Sequence, residues 1–136
     1  MKEYDYIVIG GGSGGIASAN RAGMYGKKVL LIEGKALGGT CVNVGCVPKK
    51  VMWQASEMLE MTNRDTAGYG IQAQVTAFDF GELVRRREDY IEFLHGAYQR
   101  GLDSNKVEVL RGFARFAAPH VVEVAGEQYT APHILI

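Results

Sequence analysis

Short apolar runs separated by glycine-rich turns mark the first part of the chain. Tyr4 to Ile9 and Lys28 to Ile32 are rich in aromatic and β-branched residues, and the C-terminal part of each run is wholly apolar. Such runs are typical of parallel strands covered on both faces of a sheet. The small residues from Ile16 to Ala22 lie between them and predict a helix that packs closely on the sheet. This order of strand, helix and strand predicts an α/β fold with a parallel sheet.

The middle of the chain has a helical spacing of apolar residues. A helix is predicted to begin at Cys41 and to run through Thr62. Its core stripe, at 3.6-residue spacing, is expected to consist of Val51, Met52, Ala55, Met58, Leu59 and Thr62. Asn63 to Gly70 is predicted to be a loop. Asp79 is a suitable N-cap for a second long helix, which is expected to end near Gly101.

From Lys106 the apolar period changes to two and predicts a small antiparallel β-meander. One strand is expected to include residues 107–116, and two more are expected at Val121 to Val124 and Gln128 to Ala131. A tight turn at residues 125–127 joins the last two. His133 to Ile136 is apolar enough to form another buried parallel strand. Because the chain stops directly after it, we expect the sequence to be part of a longer domain.

Composition narrows the class of protein. The 136 residues are 47% hydrophobic with zero formal net charge, which suits one globular domain or part of one. The sequence has no excess of basic residues that would indicate a nucleic-acid or acidic-lipid partner. The run Arg85 to Arg87 is flanked by acids and predicts a solvated helix face of mixed charge. No apolar run approaches the roughly 20 residues of a membrane span, and the N-terminus resembles no signal peptide.

The glycines from Gly10 to Gly15 predict a dinucleotide site. They follow a predicted strand and precede a predicted helix, and Gly10, Gly12 and Gly15 have the spacing G-x-G-x-x-G. In such a site the first glycine allows the turn, the second lets the backbone approach a pyrophosphate, and the third lets the helix pack on the strand. The helix N-terminus adds amide donors near Ser13 and Gly14.

An acidic residue, Glu33, ends the second predicted strand. It lies about 20 residues after the glycines, where a carboxylate accepts a hydrogen bond from a ribose hydroxyl. Its charge disfavours a 2′-phosphate, so the ligand is predicted to be FAD or NAD rather than NADP. The alternative is a glycine-rich turn in an unrelated α/β unit, with Glu33 as a solvated acid at a strand end.

Cys41 and Cys46 are the only two cysteines. On a regular helix their Cα atoms would lie roughly 8.7 Å apart, whereas a disulfide needs about 7 Å or less. A bond between them therefore requires the backbone to leave the helical path, which residue types such as Asn43 and Gly45 tolerate. Pro48 restricts the chain that follows. A disulfide in so small a ring would be strained and easily reduced.

The two cysteines have other possible roles. A zinc site needs about four closely spaced ligands, and because His95, His120 and His133 are scattered, no metal site is predicted. A structural disulfide suits a secreted protein. Two unrelated buried thiols are a further alternative. The nearby dinucleotide fingerprint favours redox chemistry, because dithiols are usually coupled to a nicotinamide through a flavin.

The segment GGTCVNVGCVPKKVMW, residues 38–53, resembles the flavin-dependent pyridine nucleotide disulfide oxidoreductase family, as do the glycine fingerprint and Glu33. Lys49-Lys50 after the proline favours its glutathione reductase branch over the lipoamide dehydrogenase and mercuric reductase branches. The resemblance covers nearly the whole chain and implies a Rossmann-like FAD-binding domain. The FAD contacts that it implies, beyond the fingerprint glycines, are Ser13, Gly14, Glu33, Gly39, Thr40, Cys41, Lys49 and Ala114.

The same resemblance implies roles in catalysis. Cys41 is the thiol that attacks the disulfide substrate, Cys46 is the thiol nearest the flavin, and Lys49 lies near the reactive ring nitrogen. Ser13, Asn20 and Tyr98 resemble the family's contacts with glutathione, although some members carry arginine in place of Asn20. The implied activity is the NADPH-dependent reduction of glutathione disulfide by a cytoplasmic homodimer.

Family members continue beyond a strand like His133 to Ile136 into an NADPH domain and an interface domain, which supplies a catalytic His and Glu. Residues 1–136 are therefore expected to be the N-terminal part of an FAD-binding domain, incomplete relative to the family and inactive alone. Two alternatives remain: a flavin reductase that acts on another disulfide, and a non-catalytic nucleotide-binding module.

Overall fold

Two sheets and a group of helices form three layers in the computed structural model, which describes residues 1–136. The strands are β1 (Lys2–Glu3), β2 (Tyr6–Ile9), β3 (Val29–Glu33), β4 (Glu108–Arg111), β5 (Arg115–Ala118), β6 (Val121–Val124), β7 (Glu127–Thr130) and β8 (His133–Leu135). The helices are α1 (Ser13–Met24), α2 (Gly39–Val44), α3 (Cys46–Glu60) and α4 (Phe80–Ser104). A π-helical turn (Met61–Asp65) and a 3₁₀ turn (Thr66–Tyr69) follow α3.

The first sheet is wholly parallel, in the order β4-β3-β2-β8. The second has the order β1-β7-β6-β5; β5, β6 and β7 are antiparallel, while β1 runs parallel to β7. The predicted fold class, a Rossmann-like α/β domain with a parallel sheet and an antiparallel meander, is confirmed. The predicted parallel strand at the end of the chain is present, because β8 pairs in parallel with β2. Its predicted burial is wrong, because His133 and Leu135 are exposed and Ile134 is only half-buried.

The parallel sheet is covered on both faces, and successive residues of its strands face different cores. Ile7 and Leu30 belong to a core shared with the antiparallel sheet, whereas Val8 and Leu31 belong to a core shared with α1 and α4. All four side chains are fully buried. This explains why β2 and β3 are continuous apolar runs rather than alternating ones.

The bounds of two predicted strands need correction. The strand predicted from Tyr4 to Ile9 begins only at Tyr6, as β2, and Lys2–Glu3 forms a separate strand, β1, in the other sheet. Residues 107–116 are divided between β4, which pairs with β3, and β5, which pairs with β6. Gly112 lies at the division, with φ 152°, and its amide donates to the Glu33 carbonyl oxygen over 3.0 Å. A glycine permits this change of direction because it lacks a Cβ atom.

The predicted tight turn after β6 is confirmed. Ala125 and Gly126 both have positive φ, 50° and 84°, and join β6 to β7 in register with Val124 opposite Glu127. Two consecutive residues with positive φ match the right-handed twist of the flanking strands.

The predicted loop over Asn63 to Gly70 is wrong, because most of it is helical. The hydroxyl of Thr62 donates to the Met58 carbonyl over 2.8 Å, and that of Thr66 donates to the Thr62 carbonyl over 2.9 Å. These bonds follow the helical path and accompany its continuation into the π and 3₁₀ turns. The chain leaves the helix at Gly70, which has φ 73°.

The long helices differ from their predictions in extent and in burial. Asp79 is the N-cap of α4, as predicted, and its carboxylate accepts from the Glu82 amide over 3.0 Å. The helix continues to Ser104 rather than ending near Gly101. No residue of α3 is buried, so the predicted core stripe of that helix is wrong. Its Met58 is 61% exposed.

The predicted mixed-charge face of α4 is present. Glu82 accepts hydrogen bonds from both Arg85 and Arg86, and Arg87 pairs with Glu88. The guanidinium groups of Arg85 and Arg86 hold the pKa of Glu82 well below its usual range, at about 2. Apart from Arg87, which is partly buried, these side chains lie on the surface, where such pairs contribute little stability.

Candidate functional site

The glycine-rich turn joins β2 to α1 at the carboxyl edge of the parallel sheet. Gly10 has φ 108°, a conformation that side chains other than glycine rarely adopt. A Cβ atom on Gly15 would overlap the Gly10 carbonyl oxygen, so only glycine lets α1 lie this close to the strand. These are the turn and packing roles that the spacing predicts.

The first turn of α1 offers free amide donors. Its N-cap, Gly12, has no side chain to satisfy them, and the first helical bond runs from the Ile16 amide to the Gly12 carbonyl. Ser13 and Gly14 are exposed, and a Cβ atom on Gly14 would meet nothing within 4 Å. An open helix N-terminus with unsatisfied amides suits the pyrophosphate of a dinucleotide.

Glu33 is held against the glycine turn. One carboxylate oxygen accepts from the Gly11 amide over 2.7 Å, and the other accepts from the Lys35 amide over 2.8 Å. An ionised carboxylate can accept about four hydrogen bonds, so it retains capacity for a ribose hydroxyl. Glu33, Gly39 and Thr40 also line a common hollow of about 390 Å³. The structure thus brings these three predicted cofactor residues together.

The cysteine segment is attached directly to the glycine turn. The Gly38 amide donates to the Gly11 carbonyl over 2.8 Å, and a Cβ atom on Gly39 would lie 2.8 Å from the Gly12 Cα atom. Both Gly38 and Gly39 have positive φ, 102° and 62°. The short helix α2 therefore begins beside the N-terminus of α1, and it carries Cys41.

The helical path breaks between the two cysteines. Gly45 has φ −133° and ψ −111°, which ends α2 at Val44 and starts α3 at Cys46. The predicted departure from the helix therefore occurs, although as two helices rather than one that begins at Cys41. A Cβ atom on Gly45 would lie 2.9 Å from the Thr40 carbonyl oxygen, so the break needs glycine at this position.

Both cysteines are free thiols in the structure, Cys41 half-buried and Cys46 exposed. The pKa of Cys41 is raised, first by a hydrogen-bonding interaction with the Cys46 side chain, then by desolvation and by the charge of Cys46. The Cys46 backbone amide and the Lys49 ammonium act in the opposite direction. A Cβ atom on Gly45 would lie 3.4 Å from the Cys41 Cα atom, so the break sets the start of α3, which carries Cys46 and Lys49, against Cys41.

Cys46 and Lys49 line a shallow cleft of about 790 Å³. The cleft follows the first turns of α3 and includes Lys50, Leu83 and Tyr90. Most of its lining is apolar, with two lysines at one end. Mixed apolar walls with a few polar groups are typical of ligand-binding clefts.

The remaining predicted site residues are placed less centrally. Ala114 follows Gly112 between β4 and β5 and packs against the core between the sheets. Asn20 lies on α1, where its side-chain oxygen accepts from Asn105 over 2.9 Å. Tyr98 on α4 packs against the helix-side core. No hydrogen bond joins Ser13, Asn20 and Tyr98, so their assignment as glutathione contacts stays a prediction.

One feature of the site was not predicted. Asn43 lies between the cysteines, and its side chain bonds with His95 on α4 over 2.6 Å. The two residues are 52 positions apart in the sequence and share no periodic signal, so only the fold shows this contact. No cluster of three or more His, Cys, Asp or Glu side chains could hold a metal ion. No helix is both long and apolar enough to cross a bilayer.

Comparison with known proteins agrees with this geometry. The family model described as pyridine nucleotide-disulphide oxidoreductase matches residues 4–136. The glutathione reductase of Yarrowia lipolytica is 47% identical over 138 residues, which is 98% of this chain and 28% of that protein. The glutathione reductase of Debaryomyces hansenii is 48% identical over 124 residues, 86% of this chain and 25% of that protein. The chain thus spans between 25% and 28% of the length of these curated relatives. Since the family model covers nearly all of the sequence, the chain belongs to the pyridine nucleotide-disulphide oxidoreductase family.

Proposed function

We propose that this chain carries the FAD site and the redox dithiol of an NADPH-dependent glutathione-disulfide reductase. The observation that carries the proposal is the helix break at Gly45, which brings Cys46 to Cys41 in a segment attached to the dinucleotide turn. The identity of 47–48% to two glutathione reductases supports the choice of substrate.

The residues present fit FAD. The open amides at Ser13 and Gly14 would hold the pyrophosphate, Glu33 would accept from the ribose, and Gly39 and Thr40 would line the same hollow. When bound, FAD supplies the passage of two electrons from NADPH to the Cys41–Cys46 disulfide. Lys49 and Ala114 complete the proposed set of contacts.

The dithiol chemistry follows from the two neighbouring thiols. The Cys41 thiolate attacks one sulfur of glutathione disulfide, which forms a mixed disulfide and releases one glutathione thiolate. The Cys46 thiolate then attacks the Cys41 sulfur, which releases the second glutathione and re-forms the Cys41–Cys46 disulfide. Two protons from solvent convert the released thiolates to thiols. Two electrons, taken from one NADPH, return the pair to its reduced form.

Two neighbouring groups act in opposite directions on the pKa of the Cys41 thiol. The interaction with Cys46 raises the pKa of Cys41, and the Lys49 ammonium opposes that rise. A cation beside the dithiol stabilises the negative charge that each exchange step creates on sulfur. Lys49 therefore supports the thiolate that the reaction needs.

The substrate side and the setting of the enzyme are further parts of the proposal. Ser13, Asn20 and Tyr98 lie on α1 and α4, which contact each other, and they would bind glutathione. The resemblance of residues 38–53 to glutathione reductases supports a cytoplasmic homodimer as the working form.

The test uses the full-length protein with its bound flavin. We expect NADPH oxidation that depends on glutathione disulfide and is lost in both Cys41→Ser and Cys46→Ser, while flavin remains bound. Ser56→Ala is the control, because Ser56 lies on the same helix as Cys46 and is exposed. Faster turnover with cystine or lipoamide than with glutathione disulfide would replace the proposed substrate, and full activity in Cys46→Ser would refute the dithiol.

A further inference from the structure

The side chain of Asn43 holds the start of the cysteine helix. Its amide nitrogen donates to the Leu37 carbonyl over 3.1 Å and to the Gly39 carbonyl over 2.9 Å. The Leu37 carbonyl belongs to the turn that leads from β3 into α2, and Gly39 is the first residue of α2. Asn43 is also two residues from Cys41 and from Gly45, the residue at which the helix breaks.

These two bonds decide which way the amide faces. A side-chain amide has two N–H donors, and both are directed at backbone carbonyls. The reverse orientation would place the amide oxygen against two carbonyl oxygens. The oxygen of Asn43 is therefore the atom that faces Nε2 of His95 over 2.6 Å, and Nε2 must carry a proton and donate.

His95 is held in turn by its own helix. It is half-buried on α4, and its Nδ1 atom lies 3.1 Å from the Glu92 carboxylate one turn earlier. Glu92 is 82% exposed and free to move, so the half-buried bond to Asn43 is the more constrained of the two. The chain of contacts links a long, rigid helix to the short segment between the thiols.

We propose that His95 is a positioning residue for the redox dithiol. Its Nε2–H bond fixes Asn43, and Asn43 fixes the turn and the short helix that hold Cys41 opposite Cys46. Loss of the bond would let the segment move and would lower the effective concentration of one thiol at the other. The disulfide would then form less readily. This inference rests on the proposed function only in that Cys41 and Cys46 must form a reversible disulfide.

The test measures that equilibrium in the full-length, flavin-loaded protein against dithiothreitol, without assaying turnover. Reduced dithiothreitol gives two electrons and two protons to the disulfide and becomes a cyclic disulfide, while Cys41 and Cys46 become thiols. The fraction of each form is read by trapping free thiols with iodoacetamide and by mass. We expect His95→Leu to shift the equilibrium toward the dithiol by about fivefold, as the loss of one hydrogen bond predicts.

Rescue distinguishes positioning from packing. His95→Gln places an amide donor near the position of Nε2 and should stay within about twofold of the wild type, less than the loss of a hydrogen bond. Asn43→Ala should shift the equilibrium further than His95→Leu, because it also removes the two bonds to the Leu37 and Gly39 carbonyls. The double variant should equal Asn43→Ala, because His95 acts only through its bond to Asn43. Gln99→Leu is the matched control, since Gln99 lies one turn further along α4 and bonds with Asp103 instead. If His95→Leu does not fold, His95→Asn replaces it, because its amide is too short to bond Asn43.

The outcomes separate this inference from the proposed function. A wild-type protein that forms no Cys41–Cys46 disulfide would overturn both. A wild-type disulfide with an unchanged equilibrium in His95→Leu, or in His95→Asn where that replaces it, would overturn the positioning role alone. A shift in Gln99→Leu as large as that in His95→Leu would do the same, because it would show a general effect of altering α4.

Discussion

The strand pair β2–β3 and the helix pair α3–α4 differ sharply in how their apolar residues are used. Ile7, Val8, Leu30 and Leu31 are all fully buried between the layers. By contrast α3 has no buried residue, and α4 buries only Ile91 and Leu102. Periodicity shows which residues share a face, but it does not show what covers that face. A continuous apolar strand, in contrast, needs cover on both sides.

The largest expected effect is at the first turn of α1, where the helix packs on the glycine turn that follows β2. Gly15→Val would place a side chain where the Gly10 carbonyl oxygen lies. We expect destabilisation of more than about 3 kcal/mol, since backbone must move to relieve the overlap. Chemical denaturation followed by far-UV circular dichroism measures it.

Gly14→Ala is the matched control for that substitution. The added methyl group meets nothing within 4 Å, so stability should change by less than about 0.5 kcal/mol. The same methyl group enters the space proposed for the pyrophosphate, so FAD should bind more weakly. Equal stability losses in the two variants would contradict the close packing of α1 on β2.

A direct comparison of the two regions comes next in size. Leu31→Ala removes a fully buried side chain of β3 and should cost about 2 to 4 kcal/mol, from lost transfer energy and a cavity. Met58→Ala removes a side chain that is 61% exposed and should cost less than about 1 kcal/mol. Unfolding in guanidinium chloride measures both. A larger loss at Met58 would mean that α3 packs against a surface in solution.

The sequence predicted the parallel sheet well because its strands must satisfy two cores at once. It predicted less well where one residue redirects the chain. Gly112 sends β5 into the other sheet, and Thr62 and Thr66 prolong the helix through a segment that reads as polar loop. Such changes depend on single hydrogen bonds and dihedral angles, which leave no periodic signal.

The site was predictable where residue type alone constrains it. Gly10 and Gly15 have the backbone roles that their spacing predicts, and Glu33 lies against the turn. The contact of Asn43 with His95 could not be predicted, since it depends on how α4 crosses α2. Asn20 and Tyr98 are assigned by resemblance alone, and no hydrogen bond joins them.

A moderate effect is expected at the start of α4, where a helix cap rather than burial provides the stabilisation. Asp79→Ala removes the acceptor for the Glu82 amide and should cost about 1 kcal/mol. Asp79→Asn keeps an acceptor oxygen and should recover most of that loss. Thermal unfolding of the three proteins measures the difference. No loss in the alanine variant would indicate that the first turn of α4 is frayed.

The smallest expected effect is a shift in the titration of the Cys41 thiol, on the short helix that precedes α3. Cys46→Ala removes the main cause that raises the pKa of Cys41, so the thiolate should form at lower pH. Lys49→Met removes an opposing cation, so the thiolate should form at higher pH. The rate of iodoacetamide alkylation of Cys41 against pH measures both shifts. Shifts in the same direction would contradict this account of the electrostatics.

The central claim is that the break at Gly45 sets a dithiol beside a bound flavin, and absorbance tests it most directly. The full-length protein, purified with its flavin, is reduced by two electrons under argon and its visible spectrum recorded. The account predicts a new long-wavelength band, from contact of a thiolate with the flavin, that is absent in Cys46→Ser. Protein without flavin, or a band that persists unchanged in Cys46→Ser, would contradict it.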